Sequence, residues 1–62
     1  MCLSTVYSLK DDSKNFEMDK VATIKVVDGN LVLMDLMGRT KTIPGMVKYV
    51  DLLSNEIVCE VG

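Results

Sequence analysis

Cys2, the second residue of the chain, is the residue best placed for chemistry. Its thiolate, the amide nitrogens of its own chain end and, where Met1 is removed, its free amine form a set of nitrogen and sulfur donors. Donors of this kind suit square-planar Ni(II) or Cu(II). The alternative is that Cys2 is a small apolar residue opening the first strand, because free cysteines are often buried. The sequence thus predicts a metal site at Cys2, with a packing role as the alternative.

The other cysteine, Cys59, lies near the end of the chain between Val58 and Glu60. Its place in the alternating pattern matches that of Ile57, so we expect it to be buried and unreactive. It would become a second metal ligand if it approached Cys2. The start of the chain carries no secretory signal pattern, so we expect a cytoplasmic protein with unpaired thiols.

The composition argues against an enzyme. The chain has no histidine, which excludes Ser-His-Asp and Cys-His catalytic groups and zinc sites built on histidine. The four glycines are dispersed and do not form a phosphate-binding loop. Most of the nine acidic residues fall in predicted turns or on exposed strand faces, where solvation is their ordinary role. We therefore expect a binding protein.

Length and charge limit the remaining possibilities. The 62 residues are 48% hydrophobic and 26% charged, with a net charge of −2. This composition is too apolar for a disordered chain and too often interrupted by charge for a membrane span. The acidic balance does not favour nonspecific adhesion to nucleic acid. We expect one domain over residues 1–62, and its apolar surplus predicts a homodimer.

The apolar residues recur with a period of two, which indicates strands. Asp28-Gly29 separates two such runs and is a strong hairpin signal, while Pro44-Gly45 ends a strand. Ser54-Asn55 predicts a further two-residue turn, and a single 3₁₀ turn is expected over residues 46–49. Strands are predicted at about 3–10, 21–27, 31–36, 39–43, 49–53 and 56–61, with a brief extended piece at 16–18.

The fold class predicted from this pattern is all-β, a small antiparallel β-barrel or roll of six or seven short strands. Each strand contributes apolar residues to the interior. The predicted core comprises Leu3, Val6, Ala22, Ile24, Val26, Leu33, Leu36, Ile43, Val50, Leu52, Ile57 and Val58.

Several short motifs resemble those of one known family. They are the Met1-Cys2 opening, the hairpin from Val26 to Leu31, the Ile43-Pro44-Gly45 corner and the segment Val50-Asp51-Leu52 before a turn and closing strand. In a chain of this length they resemble the CooT-type nickel-binding accessory proteins of carbon monoxide dehydrogenase maturation. The resemblance extends from end to end of the chain.

The resemblance implies a cytoplasmic homodimer that binds Ni(II) through the Cys2 thiolate. The backbone nitrogen of Leu3 could add a donor, and two copies of Cys2 could meet across a twofold axis. The implied partner is a nickel enzyme or its maturation machinery.

Two other functions stay open. Members of this family have also been labelled predicted RNA-binding proteins, and Lys25, Arg39 and Lys41 could form a modest basic patch. The aromatic residues are few, however, and RNA-stacking platforms need aromatics close together on one face. A protein-interaction module without a metal is the second alternative, and no membrane association is expected.

Overall fold

The structure, a computed structural model, describes residues 3–61, and these residues form a single six-stranded sheet. Turn residues separate the strands, and no helix occurs within the described part of the chain. The all-β prediction is therefore confirmed. The strands are β1 (Ser4–Lys10), β2 (Ser13–Val27), β3 (Asn30–Asp35), β4 (Thr40–Pro44), β5 (Met46–Asp51) and β6 (Glu56–Glu60).

The strand order across the sheet is β4-β3-β2-β1-β6-β5. Neighbouring strands are antiparallel except β1 and β6, which pair in parallel, so the prediction of a wholly antiparallel sheet is wrong at this position. The edge strands β4 and β5 form no ladder with each other in the described residues. Only Gly45 joins them along the chain, however, so the sheet curls until its two edges meet at one corner.

The long strand β2 replaces the two separate pieces predicted at 16–18 and 21–27. Its first half pairs with β1 and its second half with β3. Lys20 adopts a φ of 53°, and pairing irregularities flank this position. The strand therefore bends near Lys20 and continues, which allows it to serve both halves of the curled sheet.

The turns follow the local sequence closely, with two exceptions. Asp28 and Gly29 have φ angles of 49° and 77°, as a tight hairpin turn requires, so this prediction is confirmed. The predicted 3₁₀ turn over residues 46–49 is wrong because β5 begins at Met46, directly after the Gly45 corner. The predicted two-residue turn at Ser54-Asn55 is also wrong, because β5 ends at Asp51, two residues before the predicted end, and a four-residue turn over 52–55 leads to β6.

The core lies inside the curl, and about half of its predicted members are misplaced. Four predicted residues are buried, namely Val6, Leu33, Ile43 and Val58, and Val21, Leu31 and Cys59 join them. Three are half-buried, namely Leu3, Ile24 and Ile57. Five are exposed, namely Ala22, Val26, Leu36, Val50 and Leu52.

These five errors have three physical causes. A pairing irregularity between Val21 and Thr23 places Ala22 at a bulge, which breaks the regular alternation. The second half of β2 extends beyond β1, so no residue that the structure describes covers Val26, which is 73% exposed. Leu36 and Leu52 lie in turns, and Val50 lies on the edge strand β5.

Candidate functional site

The predicted metal ligand Cys2 lies outside the described residues, and Leu3 is the first residue that the structure describes. Leu3 is half-buried and precedes β1, whose pairing with β2 begins at Ser4 and Val21. The Leu3 amide nitrogen is therefore outside this ladder. On the other side of β1, the Thr5 amide donates a hydrogen bond to the Asn55 carbonyl at 2.9 Å. The sheet thus fixes the start of β1 between β2 and the β5–β6 turn.

An open groove of about 300 Å³ adjoins Leu3. Within the described residues its lining is apolar or hydroxyl-bearing and contains no cysteine or carboxylate. The lining residues are Leu3, Ser4, Val21, Ala22, Thr23, Ile24 and Ile57. Within residues 3–61 no group of three or more cysteine or carboxylate side chains is arranged to hold a metal ion.

Cys59 is fully buried, in agreement with the prediction. It pairs with Ser8 across the β1–β6 ladder. Ser8 is five residues further along the chain than Leu3. At about 3.3 Å per residue this separation is roughly 17 Å. Burial, and secondarily the negative charge of Glu17, raises the pKa of the Cys59 thiol and keeps it protonated. Cys59 is therefore an inert core residue far from the Leu3 amide.

A partly buried polar contact between β1 and β2 could not be predicted from the sequence. Glu17 forms an ion pair with Lys41 at 2.8 Å and accepts a hydrogen bond from the Ser8 hydroxyl. Lys41 first, and then Ser8, lower the pKa of the Glu17 carboxyl. The irregular pairing between Val6 and Tyr7 brings Glu17 to this position. Simple alternation does not anticipate such an irregularity, and no motif marks these residues.

The β3–β4 turn is organised by Asp35. Its carboxylate accepts hydrogen bonds from the amides of Met37 and Arg39 and from the Arg39 side chain, at 2.8–2.9 Å. Burial opposes ionisation of Asp35, but these hydrogen bonds outweigh it and lower the pKa of the carboxyl. The Arg39 guanidinium is consequently committed to a structural ion pair.

The basic patch considered for RNA binding does not form. Lys25 pairs with Val32, whereas Lys41 pairs with Leu33, so these two lysines point to opposite faces of the sheet. Lys41 is bound to Glu17 and Arg39 to Asp35. Val32 and Leu33 are consecutive residues of β3, so the lysines that pair with them lie on opposite sides of the sheet. The three cations therefore do not form one basic surface, and this interpretation is wrong.

The aromatic residues, in contrast, come together on one face. Phe16 pairs with Tyr7, Tyr7 with Val58, and Val58 with Tyr49, so their side chains form one row across β2, β1, β6 and β5. The rings of Tyr7 and Phe16 meet edge to face with centroids 6.3 Å apart. The three aromatics of the chain are thus neighbours, although they are far apart in sequence.

Comparison with known proteins agrees with this architecture. The family model described as CO dehydrogenase accessory protein CooT matches residues 1–60. A crystal structure of a protein assigned as CooT from Carboxydothermus hydrogenoformans superposes with a TM-score of 0.89. The two chains share 20% sequence identity, and the match covers 98% of each. No curated protein matches the chain.

In the described part of the chain, no helix has the length and apolar character needed to cross a membrane.

The family match and the structural superposition confirm the resemblance drawn from the motifs. The family description is that of an accessory protein of an enzyme and not of an enzyme itself. The match extends over nearly the whole sequence, so this chain belongs to the CooT family of carbon monoxide dehydrogenase accessory proteins.

Proposed function

We propose that this chain is a nickel-binding accessory protein that serves the maturation of carbon monoxide dehydrogenase in the cytoplasm. It binds Ni(II) through the Cys2 thiolate and the backbone nitrogen of Leu3, in a homodimer. Thiolate and amide donors suit the square-planar geometry of Ni(II). The observation that carries the proposal is the position of Leu3, outside the β1–β2 pairing and beside an uncharged groove.

The surroundings of Leu3 fit a site built from backbone nitrogens and thiolates. The described lining of the groove supplies no ligating side chain, and Cys59 is too far from Leu3 to contribute to the same site. A complete ligand set then requires the backbone of the chain end or a second copy of Cys2. Because thiols and amides must lose protons to bind, nickel affinity falls as pH falls.

An exposed apolar surface around this groove supports the homodimer. Ile24 and Ile57 line the groove, Val26 continues the same face of β2, and Val50 pairs with Ile57. Leu52 and Leu53, which are 81% and 99% exposed, lie in the turn that hydrogen-bonds to β1. Apolar surfaces of this kind mark protein interfaces. A twofold contact through this dimer surface would bring the two chain starts together.

An anaerobic Ni(II) titration, followed by thiolate-to-nickel charge-transfer absorption, tests the metal site. The wild type is expected to show the absorption band and to saturate at one Ni(II) per two chains. Cys2→Ser is expected to lose the band, whereas Cys59→Ala, the matched control, retains it. Absence of the band in the wild type, or its persistence in Cys2→Ser, refutes the nickel proposal.

The dimer is tested separately with Leu53→Glu, since this side chain makes little contact within its own chain. Two carboxylates at a twofold contact repel, so size-exclusion chromatography is expected to show a monomer. The Cys2→Ser variant without metal is expected to remain dimeric. A Leu53→Glu protein that stays dimeric would place the interface elsewhere while leaving the thiolate site intact.

RNA binding is not favoured as the function. The aromatic row offers rings for stacking, but Arg39 and Lys41 are bound to carboxylates within the chain. Carboxylates also line the aromatic row, where Lys14 is bound to Glu56. Phosphate would have to displace a carboxylate from each of these cations before it could bind.

A further inference from the structure

The aromatic face consists of Tyr7, Phe16 and Tyr49 with Val58 beneath them, on the outer side of the curled sheet. Val58 is 1% exposed, whereas Phe16 and Tyr49 are 55% and 48% exposed. Val6 and Cys59, which neighbour Tyr7 and Val58 along β1 and β6, belong to the core on the inner side. The aromatic face therefore does not contribute to the main core, and two of its rings remain open to solvent.

The spacing of the two tyrosines matches a particular backbone conformation. Tyr7 and Tyr49 stand on strands separated by β6, and two interstrand steps amount to about 9.6 Å. A polyproline II helix repeats every three residues, or about 9.3 Å. Prolines three residues apart can therefore each lie against one tyrosine ring, while the tyrosine hydroxyls reach the unpaired carbonyls of such a helix.

The charged residues on this side of the sheet indicate the sign of the charge that a ligand should carry. Register places the carboxylates of Asp51, Glu56 and Glu60 on the same face as the rings, against the cations of Lys14 and Lys48. The Lys14 ammonium lies 4.5 Å from the Tyr7 ring centroid and 3.0 Å from Glu56. The surface therefore already holds a cation between a ring and a carboxylate, and its net charge is negative.

We propose that the aromatic face binds a proline-rich segment of a partner protein, held in the polyproline II conformation and carrying a lysine or arginine. Two prolines pack on Tyr7 and Tyr49, and the basic residue takes the place of Lys14 in its exposed ion pair with Glu56. Aromatic-lined surfaces recognise proline-rich segments in this way because the ligand loses little conformational entropy. This proposal does not depend on nickel binding.

Strand addition at the neighbouring edge is a weaker interpretation of the same region. β5 is an edge strand with several exposed apolar residues. Its ladder with β6 is irregular between Val47 and Tyr49, where the intervening residue is Lys48. A bulge and a lysine on an edge strand are features that prevent pairing with another chain. A ligand that packs on the rings needs no ladder.

The test is an NMR titration of the ¹⁵N-labelled full chain with a synthetic peptide of two Pro-x-x-Pro repeats and one arginine. Saturable shifts are expected at the amides of Tyr7, Phe16 and Tyr49. Tyr49→Ala is expected to weaken binding about tenfold, consistent with the loss of one aromatic contact. Leu36→Ala, which removes an equally exposed apolar side chain outside the face, is expected to bind as the wild type does.

A second variant tests the charge contribution without altering the rings. Glu56→Gln is expected to weaken binding of the arginine peptide but not of the same peptide with arginine replaced by alanine. The proposal is overturned if no saturable shifts occur, if they fall outside the aromatic face, or if Tyr49→Ala binds unchanged. Shifts of this face by an oligouridine but not by the peptide would assign it to RNA instead.

Discussion

The backbone of Gly45 packs directly against the carbonyl group of Glu60. A Cβ atom on residue 45 would overlap the Glu60 carbonyl oxygen and lie 3.1 Å from the Cα of Val61. The Gly45 amide also donates a hydrogen bond to the Gly29 carbonyl at 3.3 Å. This corner therefore joins the β2–β3 hairpin to the last strand, which explains why the chain can pass between opposite sheet edges in one residue.

Gly45→Ala is expected to destabilise the fold by about 2–4 kcal/mol, because it adds a steric overlap to the strain of a φ of +113°. Gly29→Ala is the matched control. Its φ is +77° but no atom lies within 4 Å of the added Cβ, so a cost of about 1 kcal/mol is expected. Urea unfolding measures both. Equal costs for the two variants would show that the Glu60 contact is not tight.

Leu33→Ala is expected to cost about 2–5 kcal/mol, because Leu33 is fully buried and its truncation leaves a cavity. Leu36→Ala, at a position that the sequence pattern also assigned to the core, is expected to change stability by less than about 0.5 kcal/mol since the side chain is 63% exposed. Thermal or urea unfolding measures the stability lost by each variant. Similar losses would contradict the observed core.

The Glu17 carboxylate makes the fold sensitive to acid. Its pKa in the folded chain is lowered by Lys41 and Ser8, so its stabilising contribution is present above the unfolded value near 4.5. That contribution is lost as pH falls through the lower folded pKa. Glu17→Gln is therefore expected to destabilise the protein at pH 7 and to lose less stability on acidification. Urea unfolding at pH 7 and below pH 4 measures the difference, and parallel pH curves for both proteins would contradict it.

The Cys59 thiol makes the stability of the fold fall at alkaline pH, whereas Glu17 makes it fall in acid. Its folded pKa is raised by burial, so its contribution is fully present below the unfolded value near 9.0 and is lost as pH rises through the folded pKa. Cys59→Ala is expected to retain more of its neutral-pH stability in alkaline solution than the wild type does. Urea unfolding at pH 7 and about pH 10 tests this, and an equal alkaline loss in both proteins would exclude a role for the thiol.

Lys48 is expected to keep the apolar edge strand β5 from pairing with other chains. Lys48→Thr removes this charge at the irregular position and is expected to increase self-association. Lys10→Thr is the control, because it removes the same charge from β1, which has a neighbour on each side. Light scattering at equal protein concentration compares them. Equal scattering would mean that net charge matters and the edge does not.

Most turns and strand positions could be predicted because they depend on neighbouring residues. Asp28-Gly29 specifies its turn through the positive φ angles that this pair tolerates, and Pro44 ends β4 wherever the strand lies in the sheet. The motifs around these turns were also sufficient to indicate the family. The position of Cys2 next to the chain start suggested a metal site, which stays a prediction.

What the sequence by itself determined, then, is where the chain turns, which segments extend and which family it resembles. Only the tertiary structure decided that β1 and β6 pair in parallel, that Val26 lies uncovered and that Glu17 meets Lys41. It also aligned Phe16, Tyr7 and Tyr49 in one row. The physical reason is that strand alternation has a period of only two residues. One bulge, such as that at Ala22, reverses the face of every residue after it, and only long-range pairing fixes the outcome.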